Sequence, residues 1–104
     1  MAQSGFDIQV EFYKAMGHPV RLQVIHLLRE TPLSVGELAL KTGLSQPAIS
    51  YQLQVMRSTG LVTFQRYGTE LIYQLTNAKI GEIYDLVYQV ISEQSQQHSK
   101  IIRE

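Results

Sequence analysis

Between Ser34 and Gly60 the chain is punctuated so closely that two short helices and a tight turn are what fits. Ser34-Val35-Gly36-Glu37 has the spacing of a capping box: a serine hydroxyl accepts one backbone N–H at a helix start, and a glutamate three residues on accepts another. This opens a helix running through Lys41, and Gly43 ends it as a left-handed cap. Ser45 then caps the next helix. Pro47 lies in its first turn, where a missing N–H costs nothing, and Ala48, Ile49, Leu53 and Met56 form its inward face. Gly60 stops it. Helices this short are marginal alone, so both must be held by tertiary contacts.

The flanks supply those contacts. Phe6 to Met16 reads as a helix, with Phe6, Val10 and Tyr13 on one face. Gly17-His18-Pro19 interrupts it, and Leu22, Ile25 and Leu28 carry a second helix to about Glu30. After Gly60, the segments Leu61–Arg66 and Glu70–Leu75 alternate apolar and polar residues around Tyr67-Gly68-Thr69, which predicts a hairpin. Thr76 or Asn77 caps a last helix, in which Ile80, Tyr84, Val87 and Ile91 recur at helical spacing with Ile83 and Val90 alongside. The polar tail from Gln94 to Glu104 is expected to fray. The 104 residues make one domain, 1–104, mainly α with a small β-hairpin wing. Its architecture is a winged helix-turn-helix of five helices and a two-stranded wing. Terminal helices cover about 6–16 and 77–93, the helix-turn-helix 34–59 and the wing 61–75.

Nine basic and nine acidic side chains cancel, which taken alone argues against a nucleic-acid partner. Their distribution reverses that inference. From Leu38 to Thr69 there is no acidic residue, while Lys41, Arg57 and Arg66 lie within the stretch. It coincides with the turn, the second helix and the wing. The outward face of that helix is Gln46, Pro47, Ser50, Tyr51 and Gln54, none long and aliphatic. Glutamine offers a donor and an acceptor suited to adenine, serine suits several bases, and tyrosine reaches a phosphate or a thymine methyl. Arg57 is placed for a phosphate, Lys41 and Ser45 are counted in the DNA-binding set, and Arg66 and Tyr67 at the wing tip are placed for an adjacent groove. The expected partner is double-stranded DNA. A winged helix that binds only protein is the alternative.

Other classes find no support in the sequence. There is no cysteine, which excludes disulfides, thiolate metal sites and thiol redox chemistry. No apolar run approaches ~18 residues, and no secretory signal is visible at the start, so a cytoplasmic protein without a membrane span is expected. No phosphate loop and no nucleophile–base arrangement suggests an enzyme. No cofactor is expected. Wide apolar faces on both terminal helices would leave large exposed patches on a monomer, so a homodimer is expected, with Phe6, Val10, Tyr13, Ile80, Ile83, Tyr84, Val87, Val90 and Ile91 at its interface. Tyr13, Tyr84 and Tyr88 are read as part of that dimer core rather than as a ligand pocket.

From about Ala15 to Val90 the chain resembles the ArsR/SmtB family of small dimeric bacterial repressors. The resemblance lies in Met16-Gly17-His18-Pro19-Val20-Arg21-Leu22 at the start of the second helix, Leu44 to Leu53 over the recognition helix, and Gly60-Leu61-Val62 with Tyr73-Gln74-Leu75 in the wing. It implies a homodimer built on the first and last helices, a palindromic operator, and repression that a signal relieves. Two metal sites typical of such proteins do not carry over. Ser34 and Gly36 stand where one has paired cysteines. Asn77, Lys79, Val90 and Glu93 stand where the other has its Asp, His and Glu ligands, so no metal is expected. His18 is expected to cap or pack, His26 to be solvated, and His98 in the tail is a thin candidate ligand beside Glu93. Nothing in the sequence names the effector.

Overall fold

The computed structural model describes the backbone of residues 4–103 and the side chains of residues 4–96. The order is α1 (Gly5–Met16), α2 (Pro19–Leu28), β1 (Leu33–Ser34), α3 (Val35–Thr42), α4 (Gln46–Ser58), β2 (Val62–Tyr67), β3 (Glu70–Leu75) and α5 (Ala78–Arg103). The fold is thus the expected five helices with a wing, and it differs from expectation in three ways. The sheet has three strands in the order β1-β3-β2, because Leu33 and Ser34 pair antiparallel with Tyr73 and Ile72. The hairpin turn is two residues, since Tyr67 pairs with Glu70. And α5 continues through the polar tail to Arg103, with the His98 side chain lying outside the described residues.

Local chemistry explains each boundary. Ser4 and Asp7 form a capping box on α1. His18 is the N-cap of α2, its Nδ1 accepting from the Val20 N–H at 3.1 Å. At α3 the Ser34 hydroxyl accepts from the Glu37 N–H at 3.1 Å, while Glu37 Oε1 accepts from the Ser34 N–H at 3.0 Å. Gly43 has φ +74°, the left-handed cap that lets the chain turn sharply into α4. Asn77 Oδ1 accepts from the Lys79 N–H at 2.9 Å and so caps α5. Thr76 instead donates to the Gly60 carbonyl at 2.6 Å, tying the end of the wing to the end of α4.

The Ser34 hydrogen bonds hold the Glu37 carboxyl below its ordinary 4.5. Stabilisation from a carboxyl lowered in the folded state is complete above the unfolded value and is lost as pH falls through the folded one. Glu37→Gln is therefore expected to be less stable than the parent at pH 7. The gap in Tm should narrow as pH falls through the lowered titration of the folded carboxyl and close below it, where both side chains are neutral. A gap independent of pH would show that charge plays no part in this cap.

The core gathers Val24, Ile25 and Leu28 of α2, Leu38 of α3, Ile49, Leu53 and Met56 of α4, Leu61 beside the wing, and Val62 and Tyr73 within it. All are buried. Ala48, expected on the inward face of α4, is exposed: at ~100° per residue it falls on the far flank from Ile49 and Leu53. Ile80, expected at a dimer interface, is only 4% exposed and belongs to this core. The reason is Gly81. A Cβ there would stand 2.9 Å from the Arg29 Cβ, so glycine lets the start of α5 lie directly against the end of α2 and seals Ile80 inside. His26 is exposed, as expected, and also has a partner on α5. Its Nδ1 is 3.2 Å from the Tyr84 hydroxyl, and the two rings are 5.6 Å apart. Arg29 adds an ion pair to Asp85 at 3.4 Å.

Candidate nucleic-acid interface

The turn Thr42–Ser45 sets α4 against α3 so that one face of α4 is sealed and the other left to solvent. Ile49, Leu53 and Met56 occupy the sealed face. Pro47, Tyr51 and Gln54 are exposed on the opposite one, Tyr51 at 63%. Ser50 is half-buried at the edge of that face, and Gln46 is exposed beside Gly36 of α3. Ser45 has a structural duty, its hydroxyl oxygen accepting from the Ala48 N–H at 3.3 Å. The hydroxyl proton remains free to donate. Lys41 is exposed on the last turn of α3, next to the turn.

Arg57 is less free than an isolated surface cation. Its guanidinium lies 4.3 Å above the Phe64 ring, so an exposed cation at the end of α4 is braced by the wing. Phe64 packs in turn on Tyr73, with ring centroids 5.4 Å apart. Farther out, Arg66 and Tyr67 are exposed at the wing tip, and the Tyr67 hydroxyl donates to Gln65. The structure thus places Gln46, Pro47, Ser50, Tyr51, Gln54 and Arg57 along α4, with Lys41 and Ser45 at its start and Arg66 and Tyr67 on the wing. No carboxylate lies between Leu38 and Thr69 in the sequence, and in space the exposed Glu70 stands opposite Tyr67 across the wing.

Sequence reasoning passed over Arg21 and Gln52. Arg21 Nε donates to the Ala15 carbonyl at 2.7 Å, and its Nη1 donates to Gln52 Oε1 at 3.1 Å. The periodicity of α2 and α4 separately carries no sign of this bridge between them.

Away from α4, α1 and α5 expose a broad apolar face. It carries Phe6, Val10 and Tyr13 on α1 and Ile83, Leu86, Val87, Tyr88, Val90 and Ile91 on α5. Leu86 and Tyr88 are exposed beside the residues expected at the interface. Tyr13, Tyr84 and Tyr88 line a cleft of about 550 Å³ between α1, α2 and α5, together with Met16, Leu22 and Val87. Among the described residues, no three His, Asp or Glu side chains gather as metal ligands, and no helix is long and apolar enough to cross a membrane.

The family model for bacterial regulatory proteins of the arsR family matches residues 18–63, which span α2, the helix-turn-helix and the start of the wing. The biofilm growth-associated repressor of Xylella fastidiosa is 38% identical over 84 residues, covering 81% of this chain and 74% of that protein. The chain belongs to the ArsR family. Among solved structures of this kind, that of Mycobacterium tuberculosis Rv0081 superposes with a TM-score of 0.85 at 30% identity, covering 94% of this chain and 99% of the other. A homodimeric winged helix-turn-helix DNA-binding domain from Mycobacterium bovis, solved by NMR, gives a TM-score of 0.78 at 31% identity, covering 94% of this chain and 95% of that one. This ArsR-family protein is a transcriptional regulator, and the family match spans its helix-turn-helix and reaches the first strand of the wing.

Proposed function

We propose that two copies of the chain pair through α1 and α5 and repress transcription by holding a palindromic operator. Each α4 enters a major groove and each wing reaches the flanking backbone. One observation carries this reading: the acid-free stretch coincides with the exposed polar face of α4 and the wing tip. A twofold axis sets two recognition helices about one turn of DNA apart. The apolar α1–α5 face and its cleft are then covered by the second copy, which removes a run of exposed apolar side chains from water. Ser50, Tyr51, Gln46 and Gln54 read base edges, while Lys41, Arg57 and Arg66 meet phosphates. The protein works in the cytoplasm beside the DNA, and the Xylella fastidiosa relative, named a repressor, supports the sign of regulation.

With so few cations in the reading surface, binding to unrelated DNA should be modest and strongly salt-dependent. Affinity for DNA from upstream of the chain's own gene should fall by ~0.9 log units per neutralised phosphate for each log of salt. Replacing Ser50 and Tyr51 together by alanine is expected to erase preference for that DNA over a scrambled duplex and to leave circular dichroism unchanged. Retained preference would remove these residues from the reading surface. Salt-independent or absent binding by the parent protein would favour a protein-binding winged helix instead.

A further inference from the structure

We propose that Arg21 is a positioning residue for DNA recognition, and that its bond to Gln52 sets the attitude of α4 relative to the dimer-forming helix α1. This rests on reading α4 as the recognition helix.

The argument begins with the end of α1. The last carbonyls of a helix lack partners and carry the negative end of its dipole. In α1, Gly17 N–H accounts for part of that need by donating to the Tyr13 and Lys14 carbonyls. Arg21, one turn into α2, supplies the rest. Its Nε donates to the Ala15 carbonyl at 2.7 Å and its Nη2 to the Lys14 carbonyl at 3.4 Å. The Nε–Nη2 edge of a rigid planar group is thereby fixed against α1, so the direction of its third nitrogen, Nη1, is fixed as well. That third direction ends on Gln52 Oε1 of α4, 3.1 Å away.

Gln52 adjoins Tyr51 in sequence and is half-buried where Tyr51 is exposed. At ~100° per residue it stands on the flank of α4, between its sealed and open faces. A hydrogen bond there resists rotation of α4 about its own axis, the motion that would swing Ser50, Tyr51 and Gln54 away from base edges. Contacts at the sealed face are apolar and non-directional, so they resist separation better than rotation. The guanidinium therefore links the last turn of the dimer helix to the middle of the reading helix through one charge-assisted bond. Lysine in its place still meets the α1 carbonyls, but its single ammonium has no fork to span both helices.

The test uses the full-length protein and two duplexes of about 30 base pairs. One is enriched from a random-sequence pool by the parent protein, and the other is a scrambled version of it. Gln52→Met keeps the length of the side chain and removes the acceptor; Arg21→Lys keeps the charge and removes the fork. Each is expected to lower affinity for the enriched duplex roughly tenfold while leaving affinity for the scrambled one, its salt slope and Tm nearly unchanged. The double variant Arg21→Lys/Gln52→Met is expected to be no weaker than either single one, because both remove the same bond. Additive losses would overturn the proposal, since they would mean that Gln52 touches DNA on its own account. Unchanged affinity in both single variants would overturn it directly. A parallel drop on both duplexes together with a lowered Tm would reduce Arg21 to a stabilising cap. If the parent protein enriches no sequence at all, the DNA-reading role of α4 falls, and this proposal with it.

Discussion

Val87→Asp is expected to yield a folded monomer that binds operator DNA at least a hundredfold more weakly than the parent. Val87 is 53% exposed, amid Ile83, Tyr84, Val90 and Ile91 on the apolar face of α5, and it borders the cleft beside Tyr84 and Tyr88. In one protomer a carboxylate there stays in water and disturbs no core. In a dimer two of them would be driven into apolar surroundings, where an unpaired charge is costly. Losing the second half-site contact removes the effective-concentration advantage of a bivalent reader, which ranges from ~10² to 10⁴. Sedimentation equilibrium and operator titration check the two halves of the expectation separately. A variant still dimeric at micromolar concentration would move the interface off α5.

Leu53→Ala is expected to destabilise the protein by roughly 2–5 kcal/mol. Leu53 is fully buried in the middle of the sealed face of α4, between Ile49 and Met56. Truncation removes apolar contact and leaves a void that neighbours on several elements fill incompletely. For a chain of this length the loss should lower Tm by more than about 10 °C. Leu53→Met, which conserves volume, should cost under ~1.5 kcal/mol and serves as the control. Thermal unfolding followed by circular dichroism decides between them. A small effect of alanine would mean that α4 is held mainly from its ends rather than through its buried stripe.

Much of this architecture is legible in one dimension because its helices are short and their ends are chemically marked. Ser34 with Glu37, Gly43, Ser45 with Pro47, and Gly60 each state a boundary, and the structure has caps or turns at all of them. The elements that escape are those whose cause lies elsewhere in the chain. β1 has only two residues, too few to alternate, and exists because β3 offers it a free edge. Ile80 follows the same spacing as the exposed face of α5. Its burial depends on Gly81 meeting Arg29 across the fold, a contact signalled only by a glycine within a helix. Likewise, the face of α4 is legible from periodicity, with Ala48 misplaced by one step of the helix. The bridge from Arg21 to Gln52 spans 31 positions and leaves no pattern along either helix.

The wing carries a consequence for how binding preference can change. Its root is clamped: Val62 and Tyr73 are buried, β1 pairs along β3, and Thr76 is bonded to Gly60. Its tip at Arg66 and Tyr67 touches nothing that the core depends on. This is a cantilever, stiff at the wall and loaded only at the free end. In the proposed complex, substitutions at the tip can therefore alter the grip on the flanking backbone at almost no cost in folding, whereas α4 turns one face to the core and the other to DNA. In that complex the hold on the flanks is free to drift, and the bases under α4 are not.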